Sequence, residues 1–276
     1  MALWHDRAGK LSPLRIVVLL GLTAPAVVFA WGVYWNTGPR PELDTIHVTG
    51  AWALRFLLIS LAITPARQLL HWPRLIGVRR MIGVGAMTYA LVHFLLFGID
   101  QAFDLGKILV EVTKRPYLVI GFIAVILLAV LGATSFDAAM RRLGGKRWRN
   151  LHRLAYVAAL LGSVHFLMQA KFNVSGPMMM AGFFLWLMAY RAFDRRGAPP
   201  GPAVLIGLAI AVPLLTALAE AGWYAWKTPA DPLRILLANI NFEAGARPAV
   251  WVLTGTAITL AMFVFARVRK PVPAAA

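Results

Sequence analysis

Long apolar windows alternate with short polar stretches along the whole chain. They fall at about residues 16–35, 51–70, 81–99, 117–135, 152–170, 177–193, 203–226 and 248–266. Most approach the roughly 20 residues an α-helix needs to cross a hydrocarbon core; the fifth and sixth are the shortest. Apolar character runs unbroken through each window, unlike the alternation of a membrane barrel. Backbone polar groups in lipid must be satisfied within the segment. The pattern therefore predicts an all-α polytopic membrane protein, a bundle of about eight transmembrane helices. Pro65 is expected to kink or end the second helix. The stretch Ile99 to Pro116 predicts a short amphipathic surface segment, with Phe103, Leu105, Ile108, Leu109 and Val112 set against polar positions. After a polar tail at 1–15, a six-helix core at 16–196 is separated by the Gly/Pro run at 197–202 from a helical pair and short tail at 203–276.

Composition agrees: 60% of residues are hydrophobic and 14% charged, which excludes an ordinary soluble core. The net charge of +17 would suggest nucleic acid in a soluble protein, but here it is sorted by loop. Arg7, Lys10 and Arg15 precede the first window, and Arg67, Arg74, Arg79 and Arg80 lie between the second and third. Arg141, Arg142, Lys146, Arg147, Arg149 and Arg153 lie between the fourth and fifth. Arg191, Arg195 and Arg196 follow the sixth, and Arg267, Arg269 and Lys270 the eighth. The alternate loops are mixed or acidic, with Arg40, Glu42 and Asp44, then Asp100, Asp104, Glu111, Lys114 and Arg115, then Asp231, Arg234 and Glu243. This positive-inside pattern predicts a multi-pass membrane protein with an even number of spans and both termini cytoplasmic. Val28-Phe29-Ala30 loosely resembles a signal-peptide cleavage site. The run is too long for an h-region and ends in the aromatic belt Trp31, Tyr34 and Trp35, so a retained helix is expected. There is no cysteine, which rules out disulfides, thiolate ligands and iron–sulfur clusters.

The chemistry concentrates in histidine. His5, His47 and His71 fall in loops or tails, whereas His93, His152 and His165 fall in the third and fifth windows. His152 and His165 are thirteen residues apart, roughly 20 Å along a helix, and His93 lies thirteen residues beyond Arg80. Both windows run in the same direction, so His93 and His165 should share one depth. Imidazoles from two neighbouring helices at one depth are what bis-histidine ligation of a b-type haem requires. Thirteen steps of 100° leave His152 and His165 about 140° apart, so a bend is expected between them, with Gly162-Ser163 a candidate. Buried polar networks, or a proton-coupled transporter relaying protons through these histidines, are the other readings. Met178, Met179 and Met180 read as packing rather than an axial ligand. Gly144-Gly145-Lys146 is either positive-inside charge or a cradle for a flavin phosphate or anionic lipid. Glu220, late in the seventh window, reads as interfacial, with proton carriage the alternative.

The segments TGAWALRFLLISLAITPARQL, RRMIGVGAMTYALVHFLLF, KRPYLVIGF and RRLGGKRWRNLHRLAYVAALLGSVHF resemble the MsrQ family of haem-binding membrane subunits, within the ferric-reductase-like transmembrane superfamily. The resemblance covers about residues 31–196. It implies an electron-transfer subunit that binds haem b, one or two copies, and FMN. Quinol or a cytosolic flavin reductase would feed it. It would reduce the periplasmic molybdopterin protein MsrP, which repairs methionine sulfoxide in oxidised proteins. His93, His165 and His152 carry over as haem-iron ligands. Arg79 and Arg80 stand where the superfamily's inner histidine falls on the third helix, and could pair with haem propionates or a flavin phosphate. No G-x-G-x-x-G follows a strand, so no dinucleotide fold is expected and electrons should arrive from quinol or a separate reductase. A quinone-linked cytochrome b with another acceptor, or a ferric reductase, remains the alternative within this class.

Overall fold

The computed structural model describes residues 4–5, 9–35, 41–194, 198–242 and 245–268. Arg7, Arg40, Arg195, Arg196, Glu243, Arg269 and Lys270, named above, lie outside the described residues, as does the first residue of the Gly/Pro run at 197–202. The described residues form helices α1 (Pro13–Trp35), α2 (Pro41–Leu69), α3 (Ile76–Asp100), α4 (Leu105–Lys114), α5 (Pro116–Ala133), α6 (Asp137–Leu151), α7 (Leu154–Gln169), α8 (Ser175–Phe193), α9 (Pro202–Lys227), α10 (Pro232–Leu237) and α11 (Pro248–Val268), with no strand among them. All eight apolar windows are helical. Among the described residues six helices are long and apolar enough to cross a membrane, and seven if α6 and α7, bent by 46° at their joint, are one span. The amphipathic segment is α4, capped by the Asp104 carboxylate on the Lys107 amide, with Leu105 and Leu109 exposed.

The chain divides into two compact units, Met1–Ser60 with Ile76–His165, and Leu61–Leu75 with Phe166–Ala276. In the first, α1 packs on α3: the Tyr89 hydroxyl donates to the Leu22 carbonyl at 2.8 Å, and the Leu22 side chain fills the space over Gly85. α3 packs on α5, with Met87 seated against Gly132 and Phe94 against Phe122. Close approach at small residues is how membrane helices pack, since lipid gives them no hydrophobic drive to associate.

In the second unit, α8 packs against α9 and α11. Gly182 faces Thr216 and Val252, and Gly255 faces Phe183. Pro65 does not end α2, which continues to Leu69. Proline removes the amide that would bond the carbonyl four residues earlier, and the Leu61 carbonyl instead accepts from Arg191 Nη2 at 2.6 Å. The side chain thus replaces the missing backbone donor and lets the helix run on. Beside it, the buried Tyr190 hydroxyl donates to Gln68 Oε1 at 3.1 Å, and Gln68 Nε2 donates to Asp194 at 3.0 Å. Glu220 is fully buried and ion-paired with Arg247 at 2.9 Å.

Candidate functional site

His93 on α3 and His165 on α7 come together in the first unit. Their ring centres are 6.3 Å apart, with planes at 77°. Each ring is fixed by the same device on a different neighbour. His93 Nδ1 bonds the Ile46 carbonyl of α2 at 2.7 Å, and His165 Nδ1 bonds the Tyr117 carbonyl of α5 at 2.7 Å. A carbonyl only accepts, so each Nδ1 carries a proton and each Nε2 keeps its lone pair. An outer hydrogen bond of this kind commonly orients a metal-bound imidazole.

Room for each ring comes from a glycine four residues after the accepting carbonyl. A β-carbon at Gly50 would lie 2.9 Å from His93 Nδ1 and Cε1, and one at Gly121 would lie 2.6 Å from His165 Nδ1. Any larger residue would push a ring off its carbonyl. Two imidazoles bound to one metal ion through Nε2, at about 2.0–2.1 Å each, hold their ring centres roughly 6 Å apart. The observed separation matches that spacing. Among the described residues no three His, Cys, Asp or Glu side chains converge on one point. The pair therefore suits an ion that brings its own equatorial ligands, as haem iron does, rather than a bare ion.

The other expected site residues stand apart from this pair. His152 occupies the two-residue joint between α6 and α7. Its ring stacks on Trp148, with centres 4.0 Å apart, and its Nε2 lies 3.2 Å from Thr134 Oγ1. Trp148 Nε1 donates to the Thr134 carbonyl at 2.9 Å, so the joint is braced against α5. The bend falls at His152 itself rather than at Gly162-Ser163, where the Ser163 hydroxyl bonds the Ala159 carbonyl inside a continuous helix. Arg80 forms an exposed ion pair with Asp137. The backbone carbonyl of Arg79 accepts from Ser60 Oγ. Gly144 adopts a left-handed backbone, φ 72°, a conformation glycine takes without a steric cost. It kinks α6, and Lys146 beside it is exposed.

Three features escaped the sequence reading. His47 lies inside α2 rather than in a loop, one residue beyond the Ile46 whose carbonyl holds His93. Gly50 and Gly121 each leave room for a ligand ring; a glycine inside an apolar window at the depth of the histidines is the signal the sequence offers. Arg55, midway along α2, lies with its guanidinium carbon 4.8 Å from the Trp52 ring centre. A cation inside an apolar window is itself a pointer to function.

Residues 49–163 match the family described as ferric reductase like transmembrane component. The chain is 41% identical over 203 residues to the "Protein-methionine-sulfoxide reductase heme-binding subunit MsrQ" of Rhodospirillum rubrum, covering 72% of this chain and 96% of that protein. The protein of the same name from Xanthomonas oryzae pv. oryzae is 39% identical over 203 residues, 67% of this chain and 93% of its own length. That of Herminiimonas arsenicoxydans is 43% identical over 159 residues, 56% and 73%. No solved structure matches the chain.

Proposed function

The chain belongs to the MsrQ family of ferric-reductase-like membrane subunits, and from that premise we propose that it is the haem-binding electron-transfer subunit of a protein-methionine-sulfoxide reductase system. The observation that carries the reading is the matched anchoring of His93 and His165. Two imidazoles with protonated Nδ1 present their Nε2 lone pairs at a spacing fitted to one six-coordinate iron. Bound haem b would supply a one-electron centre within the bilayer. The protein's part is to hold and orient. Ile46 and Tyr117 fix the tautomers, Gly50 and Gly121 make room for the rings, and the apolar faces of α2, α3, α5 and α7 keep water from the pair.

The finer parts of the proposal rest on charge sorting and family likeness. The basic inter-helix segments face the cytoplasm of a bacterium, and the His93–His165 end of the bundle faces the periplasm. The acceptor there is the periplasmic molybdopterin reductase MsrP, and the donor is membrane quinol or a cytosolic flavin reductase. At the cytoplasmic end, His152 is a second ligand position or a relay, and Arg79 and Arg80 are the cations for an acidic cofactor group. FMN rests on family likeness alone, and no residue is assigned to it.

The test is the reduced-minus-oxidised absorption spectrum of the purified chain, with haem and flavin quantified on the same sample. A b-type band is expected, and His93→Ala and His165→Ala should each lose most of it. A chain without such a band, or full retention in both variants, overturns the reading.

A further inference from the structure

The basic helix α6 takes no part in the histidine pair. It carries Arg141, Arg142, Lys146, Arg147 and Arg149, with Arg153 just beyond its end, and all six side chains are exposed. Its one carboxylate, Asp137, is taken by Arg80. None of the six cations forms an ion pair among the described residues. The apolar residues Met140, Leu143, Trp148 and Leu151 of the same helix are half-buried.

A charge run is ordinarily no more than a solvated face. Here the backbone is broken so as to make the face. In an unbroken helix Arg147 would lie four residues after Leu143 and four before Leu151, and so would share their inward side. At Gly144 the backbone takes φ 72° and ψ 152°, a combination that is essentially glycine's alone. The helix resets there. Arg147 comes out to the exposed side, and Trp148 turns inward, its Nε1 donating to the Thr134 carbonyl at 2.9 Å. The break therefore keeps a cation out of the bundle and adds it to the others.

The placement of α6 points the same way. It leaves α7 at 46°, so it does not continue the apolar span in a straight line. A helix that is cationic on one side and apolar on the other, joined obliquely to a membrane helix, belongs at the membrane surface.

We propose that the exposed face of α6 binds the phosphate head groups of anionic phospholipids in the adjoining leaflet. A guanidinium fork pairs with a phosphodiester oxygen pair bidentately. The charges are complementary, since the leaflet on the side that charge sorting gives this segment is the anionic one. A single flavin or inorganic phosphate would use the same chemistry at one point, whereas cations spread from residue 141 to residue 153 suit an array of head groups. The proposal rests on the reading of the chain as membrane-spanning with its basic segments at the cytoplasmic surface, and not on the haem.

The test uses the full chain in phosphatidylcholine vesicles holding a trace of spin-labelled phosphatidylglycerol or spin-labelled phosphatidylcholine. The motionally restricted fraction of each label gives their relative affinity for the protein. Phosphatidylglycerol should be preferred about fivefold or more, the worth of one Lys or Arg at an anionic surface, and high salt should shrink the preference. The triple change Arg142→Gln, Lys146→Gln and Arg147→Gln should remove most of it; all three side chains are exposed, so the fold tolerates the loss. The triple change Arg15→Gln, Arg74→Gln and Arg267→Gln removes as much charge from other helix ends and should leave the preference within about twofold. Gly144→Ala keeps every cation but cannot hold its backbone without strain, and should weaken the preference. Inorganic phosphate at constant ionic strength should displace neither label. Three results overturn the proposal. No preference for phosphatidylglycerol leaves the face to an acidic soluble partner, displacement by inorganic phosphate leaves it to a free phosphate, and an equal loss in the second triple variant leaves only a diffuse field. The haem band of each sample is read alongside. Its absence would count against the electron-transfer reading and leave the lipid result standing, and loss of lipid preference with the band intact refutes the lipid face alone.

Discussion

Replacing Gly121 with alanine puts a methyl group 2.6 Å from Nδ1 and 2.7 Å from Cε1 of His165. Ordinary contact is about 3.5 Å or more, so the ring must retreat by roughly 1 Å. Its bond to the Tyr117 carbonyl, 2.7 Å long, then stretches past the length of a real hydrogen bond, costing about 1 kcal/mol. The larger effect is on the ligand: losing the group that orients a metal-bound imidazole typically lowers metal affinity about 10–100-fold. Haem per chain, read from the reduced-minus-oxidised spectrum after dilution and repurification, should fall accordingly. Alanine is about 0.5–1 kcal/mol better than glycine inside a helix, so the apoprotein should not melt earlier, and a loss of haem cannot be blamed on unfolding. Gly50→Ala meets His93 at 2.9 Å and should show a smaller loss. Gly21→Ala meets nothing and should show none. Unchanged haem content and band position in Gly121→Ala, or an equal loss in Gly21→Ala, would falsify the view that these glycines make room for the ligand rings.

Other outcomes follow from the packing. His152→Ala should keep the haem held by His93 and His165, because the His152 ring contacts Trp148 and Thr134; loss of the whole band would tie it to that pair. Glu220→Ala should lower stability by about 3–5 kcal/mol, since it strands Arg247 as a buried charge. The double change Glu220→Leu with Arg247→Met should recover most of that in detergent melts, and a double variant as weak as the single would show that the pair is more than a buried ion pair. Arg80→Gln breaks a pair whose side chains are 48% and 67% exposed and should cost at most about 1 kcal/mol. Gly182→Ala places its methyl 2.6 Å from Thr216 Oγ1 and 2.7 Å from Val252. It should destabilise the α8–α9–α11 unit by about 1–3 kcal/mol, visible as earlier proteolysis or melting with haem content unchanged.

The long helices and their order were legible in the sequence, because in lipid a run of apolar residues has only one way to satisfy its backbone; their number was less so, since eight spans were expected and six or seven of the described helices are long and apolar enough to cross. Depth was legible too: counting 1.5 Å steps from the basic loops put His93 and His165 at one level, and their rings meet. Azimuth was not. A drift of 100° per residue accumulates over thirteen residues, and the chain bends at the α6–α7 joint, where His152 packs on Trp148 rather than joining the His93–His165 pair. Pro65 does not end its helix, one of the two outcomes expected of it, for a related reason. Whether a proline ends a helix depends on a substitute donor for the orphaned carbonyl, and that donor, Arg191, is 130 residues beyond Leu61 in the chain.

Hydropathy and charge by themselves determined an all-helical membrane protein whose histidines share a level, since those patterns answer only to the bilayer. Tertiary structure decided which carbonyl holds each imidazole, which glycine yields the space, and that Glu220 has a counter-ion. Each of these depends on groups that different helices bring within about 3 Å of one another, a distance at which hydrogen bonds form and over which spacing along one chain says nothing.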